Sequence, residues 1–349
     1  MIYIFSTKIG VGKGGVSKAL VGYTEGLKNL NVHYKEVTTH FGTSWILYYL
    51  KSIFFSAFKV KKGDVCWFHG ARWFSLFRKY VLLKICSLKG AKTVFHFHSV
   101  ELEDYLTDMK FKFLISRIIA DSDYIVVVSP WWRDKVVKHF PLFVGKIIVS
   151  MNPLDSNFEE VANQLNTRKK INNKSTIKIA AMSRLESGKG FHELFDSLQL
   201  LSENFQLHII GDGDLRNSLE KSAKEKKIDT RVHFHGWLES HEKIEALKSC
   251  DIFCLPSKYD SFGMVFIEAM AVGIPIIAMN TMSFPFIIPK QAGVLLDNDS
   301  ERHISEAILE VTNNYDSYLG GRDYVAVKFN KKSITHNFLK SIRYEQYIQ

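Results

Sequence analysis

Pro256-Ser-Lys-Tyr-Asp260-Ser261-Phe262-Gly263-Met264-Val-Phe-Ile-Glu268-Ala-Met-Ala-Val-Gly273-Ile-Pro275 decides how the rest of the chain is read. Ile252-Phe253-Cys254-Leu255 precedes it, a short apolar run of the kind buried on both faces of a parallel sheet. The stretch then reads as loop, helix and stop. Ser261 is placed to cap the helix, and Gly273 with Pro275 to end it. Between them the helix is apolar nearly all round, so it belongs in a core. Glu268 sits inside it, where an ionised carboxylate needs hydrogen-bond donors. Asp260 lies in the loop that opens the helix. The N–H groups of Phe262, Gly263 and Met264 are expected to face outward, free for a polar ligand. The alternative is structural: a Glu paired with a buried Arg or Lys, and a capping Asp.

An acidic residue, then x-Phe-Gly, four residues, and Glu-Ala-Met-Ala with Gly and Pro beyond, resembles the E-x7-E signature of glycosyltransferase family 4. Asp260 stands where that family usually has Glu. The resemblance implies a GT-B fold: α/β, with two Rossmann-like domains facing a cleft and a C-terminal helix crossing back to the first domain. It also implies a retaining enzyme that uses a nucleotide-diphosphate sugar, of the type that builds bacterial surface polysaccharides such as lipopolysaccharide. By that resemblance Asp260 and the backbone of Phe262, Gly263 and Met264 hold the donor sugar, and Glu268 holds the ribose.

The rest of the second half agrees. Ile177 to Ser183 reads as a strand, followed by Arg184-Leu-Glu-Ser-Gly-Lys189-Gly190 and a helix. Two cations on one loop at a strand's C-terminal end make an anion clamp. The loop matches the family's Arg-Leu-x3-Lys-Gly motif, which implies that Arg184 and Lys189 hold the donor diphosphate. Gln206 to Asp214 and Val232 to Trp237 open further strand–loop units, and Ile276 to Met279 is another strand. Asp212-x-Asp214 spells a metal-binding DxD, but so do Asp121-x-Asp123 and Asp297-x-Asp299, so no metal is expected. Thr281 to Pro289 departs from the family's Gly-Gly-x-x-Glu.

The first half opens with a strand to Ser6 and a Gly-rich loop running to Leu20, a place where backbone N–H groups can approach phosphate. Two readings compete there. A deviant Walker motif would make an ATPase, but Ala19 stands where the Mg²⁺-binding hydroxyl is required. The favoured reading is the Gly-Gly loop of GT-B enzymes, with Gly14 and Gly15 at the donor phosphates. Thr93 to Ser99 is a strand carrying His96 and His98 on one face. A third metal ligand is not evident, and His98, nearer the strand's C-terminal end, resembles the family's acceptor-side His. Asp123 to Ser129 and Ile147 to Asp155 supply further strands, the last resembling the turn that closes the family's first domain.

Domains are expected at residues 1–165, with a helix at 333–349 packing back, and at 171–332. The polar run 156–175 is expected to link them. The 349 residues suit two such domains. Residues 1–170 hold 25 Lys and Arg against 13 Asp and Glu; residues 171–349 hold 21 against 23. A basic first half suggests an anionic partner. Segments 45–62 and 73–84 are rich in aromatics and lysine, which suits a bilayer interface, although helices packed on a sheet read the same way. No apolar run reaches the ~20 residues of a membrane span. The expectation is a cytoplasmic protein, peripheral on the inner face of the membrane, with free buried cysteines. Its partners would be a nucleotide sugar and a glycan or lipid-linked acceptor, with no nucleic acid and no cofactor. The other classes left open are the ATPase and a non-catalytic sugar- or lipid-binding protein.

Overall fold

The computed structural model describes residues 1–11, 15–164 and 176–344. Two compact units divide the chain: Met1–Asp155 with Lys331–Gln349, and Ser156–Asn330.

In the first unit, β1 (Ile2–Thr7), α1 (Gly15–Asn29), β2 (Tyr34–His40), α2 (Trp45–Phe58), β3 (Val65–Gly70), α3 (Trp73–Leu88), β4 (Lys92–Phe97), α4 (Leu102–Thr107), α5 (Met109–Asp121), β5 (Tyr124–Val127), α6 (Pro130–His139) and β6 (Ile147–Val149) follow one another. The six strands are parallel, in the order β2-β1-β3-β4-β5-β6. Every residue of β3 is buried, as a strand covered on both faces requires. Capping is local and legible: Asp108 accepts the N–H groups of Lys110 and Phe111 at α5, and Ser129 with Pro130 opens α6.

Helix α2 is turned against the usual pattern. Its fully buried residues are Ser52 and Ser56, whose hydroxyls bond back to Tyr49 O and Ser52 O. Leu50, Phe54 and Phe58 make an exposed stripe at four-residue spacing. Helix α2 packs on α3 and α3 on α5, and these carry exposed Trp73, Phe77, Met109 and Phe113.

The second unit opens with α7 (Ser156–Asn163), so the first part of the expected linker is helical; residues 165–175 lie outside the described residues. Then come β7 (Ile177–Met182), α8 (Phe191–Leu200), β8 (Phe205–Ile210), α9 (Arg216–Glu225), β9 (Val232–Gly236), α10 (Ser240–Ser249), β10 (Ile252–Leu255), α11 (Met264–Ala271), β11 (Ile276–Met279), β12 (Gly293–Leu296), α12 (Glu301–Asn313) and α13 (Gly321–Lys328). This sheet is also parallel, in the order β12-β11-β10-β7-β8-β9. The strand order reverses between β7 and β10. The crossovers from the two strands flanking such a reversal run to opposite faces of the sheet, which leaves at their C-terminal ends the crevice where doubly wound sheets bind ligands.

The last helix, α14 (Lys331–Ser341), belongs to the first unit and is shorter than sequence suggests; Tyr347 lies outside the described residues. It packs on α1, and Phe338 stacks on Trp67 of β3 with ring centroids 4.2 Å apart. Lys92 Nζ donates to the carbonyls of Ile342 and Arg343 just beyond it.

Candidate functional site

The loops after β7 and β10 meet at the point of strand reversal, and two glycines let them. Gly190 has φ +81°, and a Cβ there would lie 2.4 Å from Pro256 O. The Lys258 N–H donates to Gly188 O at 3.0 Å, tying the loops together. This contact brings Lys189 to Asp260. Lys189 Nζ donates to Tyr259 O at 2.6 Å and lies 3.5 Å from Asp260 Oδ2. Arg184, half-exposed on the same loop, pairs with Glu186 at 2.9 Å.

Asp260 does more than sequence suggests. Its Oδ1 accepts the N–H groups of Phe262 (3.1 Å) and Gly263 (2.9 Å). Those two donors are therefore engaged rather than free. The helix also starts later than expected. Gly263, at φ +91°, is the N-cap of α11; Ser261 is not, and no side chain caps the helix. A left-handed residue just before the helix favours glycine, and a Cβ at Gly263 would meet the Phe266 ring at 2.6 Å. Met264 is the first helical residue. The divergent segment 281–289 braces this corner: Ser283 Oγ donates to Ser261 O at 2.7 Å, and buried Phe284 packs edge-on against Phe266.

Glu268 is buried, and Lys243 of α10 donates to its Oε1 at 2.7 Å. The buried ion pair that sequence left open is thus present. Lys243 also lies over the ring of Phe158, at 4.6 Å. Sequence reasoning missed Lys243, because α10 reads as an ordinary surface helix. Its capping box, Glu239 with Glu242, fixes where the helix begins and so where Lys243 points.

The other expected residues belong to the first unit. Gly14 lies outside the described residues, and Gly15 is the exposed first residue of α1. The Gly10 N–H donates to Ser17 Oγ at 3.0 Å. His98 follows β4 and is buried; its Nε2 is 2.8 Å from His69 Nδ1. Burial, with Lys79 nearby, holds His98 down at about 3. His69 and His96 are held well below the usual histidine range by burial, so all three rings are neutral. The third histidine that sequence did not find is therefore His69. It was hidden because its place beside His96 is set by β3–β4 register.

The DxD pairs serve locally. Asp212 accepts the Gly213 N–H, Asp123 holds Thr93, and Asp297 holds Asn280.

Residues 163–320 match the family model for glycosyl transferases group 1. A protein of the cps region of Klebsiella pneumoniae, itself called uncharacterized, is 24% identical over 292 residues, 81% of this chain and 79% of the relative. The lipopolysaccharide 1,6-galactosyltransferase of Salmonella typhimurium is 34% identical over 104 residues, 29% of each chain. The structure of Anabaena HepE in complex with UDP and glucose is similar at a TM-score of 0.73 and 15% identity, covering 98% of this chain and 99% of that one. Over residues 163–320, most of its second unit, this chain is thus similar to glycosyl transferases group 1. Its two parallel sheets with flanking helices are those of the GT-B fold.

Proposed function

We propose that the enzyme moves a sugar, with retention of configuration, from a nucleoside-diphosphate donor to a glycan or lipid-linked acceptor in surface-polysaccharide synthesis. The observation that carries this is the Lys189–Asp260 contact at the strand reversal of the second unit. One loop offers cations for a diphosphate, and the other offers a carboxylate for sugar hydroxyls. As the donor bond breaks, negative charge builds on the diphosphate and positive character on the sugar. Lys189 and Arg184 would stabilise the first, and such fixed charges commonly supply the largest share of catalysis. Asp260 Oδ2, beside Lys189, would face the second. The clamp does the work of a cation, so donor binding is proposed to need none.

The neighbour bound to UDP and glucose, and the relatives tied to cps and lipopolysaccharide, favour this substrate class. Glu268 is proposed to meet the ribose with the oxygen that Lys243 does not take; the ion pair itself favours a structural share for this residue. His98 is proposed for the acceptor side. Its ring is neutral, so it would accept or relay a hydrogen bond from the attacking hydroxyl rather than carry charge.

The first unit is proposed to lie on an anionic bilayer. The exposed stripe of α2 is flanked by exposed Lys51, Lys59, Lys61 and Lys62, a pairing that suits the headgroup boundary. Among the described residues no helix is long and apolar enough to cross a membrane.

The test is radiolabelled transfer to isolated lipid-linked glycans from a panel of UDP-, GDP- and ADP-sugars. Transfer from one donor, with the anomeric configuration kept, is the expected result. Hydrolysis without transfer, or inversion, would overturn the reading.

A further inference from the structure

His69, His96 and His98 stand together in the core of the first unit, and one ligand atom from each lies within 4.8 Å of those of the others. None keeps more than 4% of its surface exposed. Among the described residues neither ring nitrogen of His96 has a hydrogen-bond partner, nor has His69 Nε2. Buried polar atoms without partners cost roughly 1–3 kcal/mol each, so a cluster of them asks for an occupant. Among the described residues no carboxylate takes part in the cluster.

We propose that these three imidazoles form a binding site for one divalent transition-metal ion of the zinc type. Imidazole nitrogen suits zinc and its neighbours, and three histidines leave a fourth position for water or another oxygen. Metal–nitrogen distances of about 2.0–2.1 Å put tetrahedral ligand atoms roughly 3.4 Å apart. The His69–His98 pair is already closer than that, at 2.8 Å, and His96, with a ligand atom within 4.8 Å of theirs, would have to move toward them to bind the same ion. Each neutral ring has one lone pair, so binding expels no proton. The His69–His98 hydrogen bond is replaced when the donor ring moves its proton to its other nitrogen. Lys79, buried near His69 and His98 and bonded to Ser75, is itself held down at about 7 by burial, and in its charged form it weakens the site.

This proposal does not rest on the donor reading, it excludes the acceptor-side role of His98 in the metal-loaded protein, and its test uses no turnover. Tag-free full-length protein, stripped with chelator and dialysed, is titrated with Co²⁺ and then Zn²⁺. One equivalent of Co²⁺ should give the intense visible bands of four-coordination, raise the melting temperature, and be displaced by Zn²⁺. His96→Phe and His69→Gln should each weaken binding at least about 100-fold, since even losing an outer partner of a ligand costs 10–100-fold. Lys79→Met should tighten it. His235→Ala, in a separate histidine group of the second unit, should leave it unchanged. Weak six-coordinate bands only, or full binding by either folded His variant, would overturn the proposal. So would wild-type binding that disappears in His235→Ala. If His96→Phe does not fold, His69→Gln decides.

Discussion

Lys243 and Glu268 form an ion pair 2.7 Å long whose side chains keep 5% and 4% of their surface exposed. Removing one partner leaves the other charge buried and uncompensated, which typically costs 3–5 kcal/mol. Lys243→Met should therefore lower unfolding free energy by about that much in urea titration. Lys243→Met with Glu268→Leu should recover most of it. If Glu268 also meets the ribose, Glu268→Gln raises donor KM more than it lowers kcat. Unchanged donor KM in a folded Glu268→Gln would make the residue structural alone.

Lys189→Ala should lower kcat by an amount equivalent to ~2.7–4 kcal/mol, the range for removing one fixed donor from a developing charge. Turnover within twofold of wild type would remove Lys189 from the mechanism.

Asp260→Asn keeps an oxygen for the Phe262 and Gly263 N–H groups while losing the charge. Stability should change little and kcat should fall. Asp260→Ala should lose both, with ~0.5–2 kcal/mol of stability going with the bonds to the start of α11. Equal kcat loss in both variants, with stability lost only in Ala, would separate charge from scaffold.

Donor binding measured by calorimetry should be the same in EDTA as in Mg²⁺ or Mn²⁺, if Arg184 and Lys189 replace the cation. A strict Mn²⁺ requirement would favour Asp212 and Asp214 as ligands.

Phe54→Ser with Phe58→Ser should leave stability within about ±0.5 kcal/mol, because both rings are already exposed. Cosedimentation with anionic vesicles should fall. Equal binding of wild type to neutral and anionic vesicles would remove the electrostatic part of the bilayer reading.

The alternation of strand and helix was legible because parallel strands read as bare apolar runs, as at Ile252–Leu255 and Ile276–Met279. The Arg184–Lys189 loop and the acidic pair were legible as motifs. Their partners were not. Lys243 reaches Glu268 from a helix 25 positions earlier, and His69 meets His98 across a strand pairing, so both depend on three-dimensional register. The start of α11 was misplaced because Ser261 has the chemistry of a cap, while Gly263 alone tolerates the backbone angle that begins the helix. The serine-inward face of α2 ran against the rule that apolar residues go inside.

The first unit is discontinuous: its sheet is complete by Val149, yet α14, whose Phe338 covers Trp67, is made only after the whole second unit. On the ribosome the second unit is a contiguous segment and has all its parts first. The first must wait, with the Trp67 ring and the α1 groove uncovered, until the last residues emerge. Gly26 marks how closely that final helix docks, since a Cβ there would fall 2.1 Å from Thr335 Oγ1. A chain released at about residue 330 would therefore present an intact second unit joined to an unfinished first one, a recognisable target for chaperones and proteases.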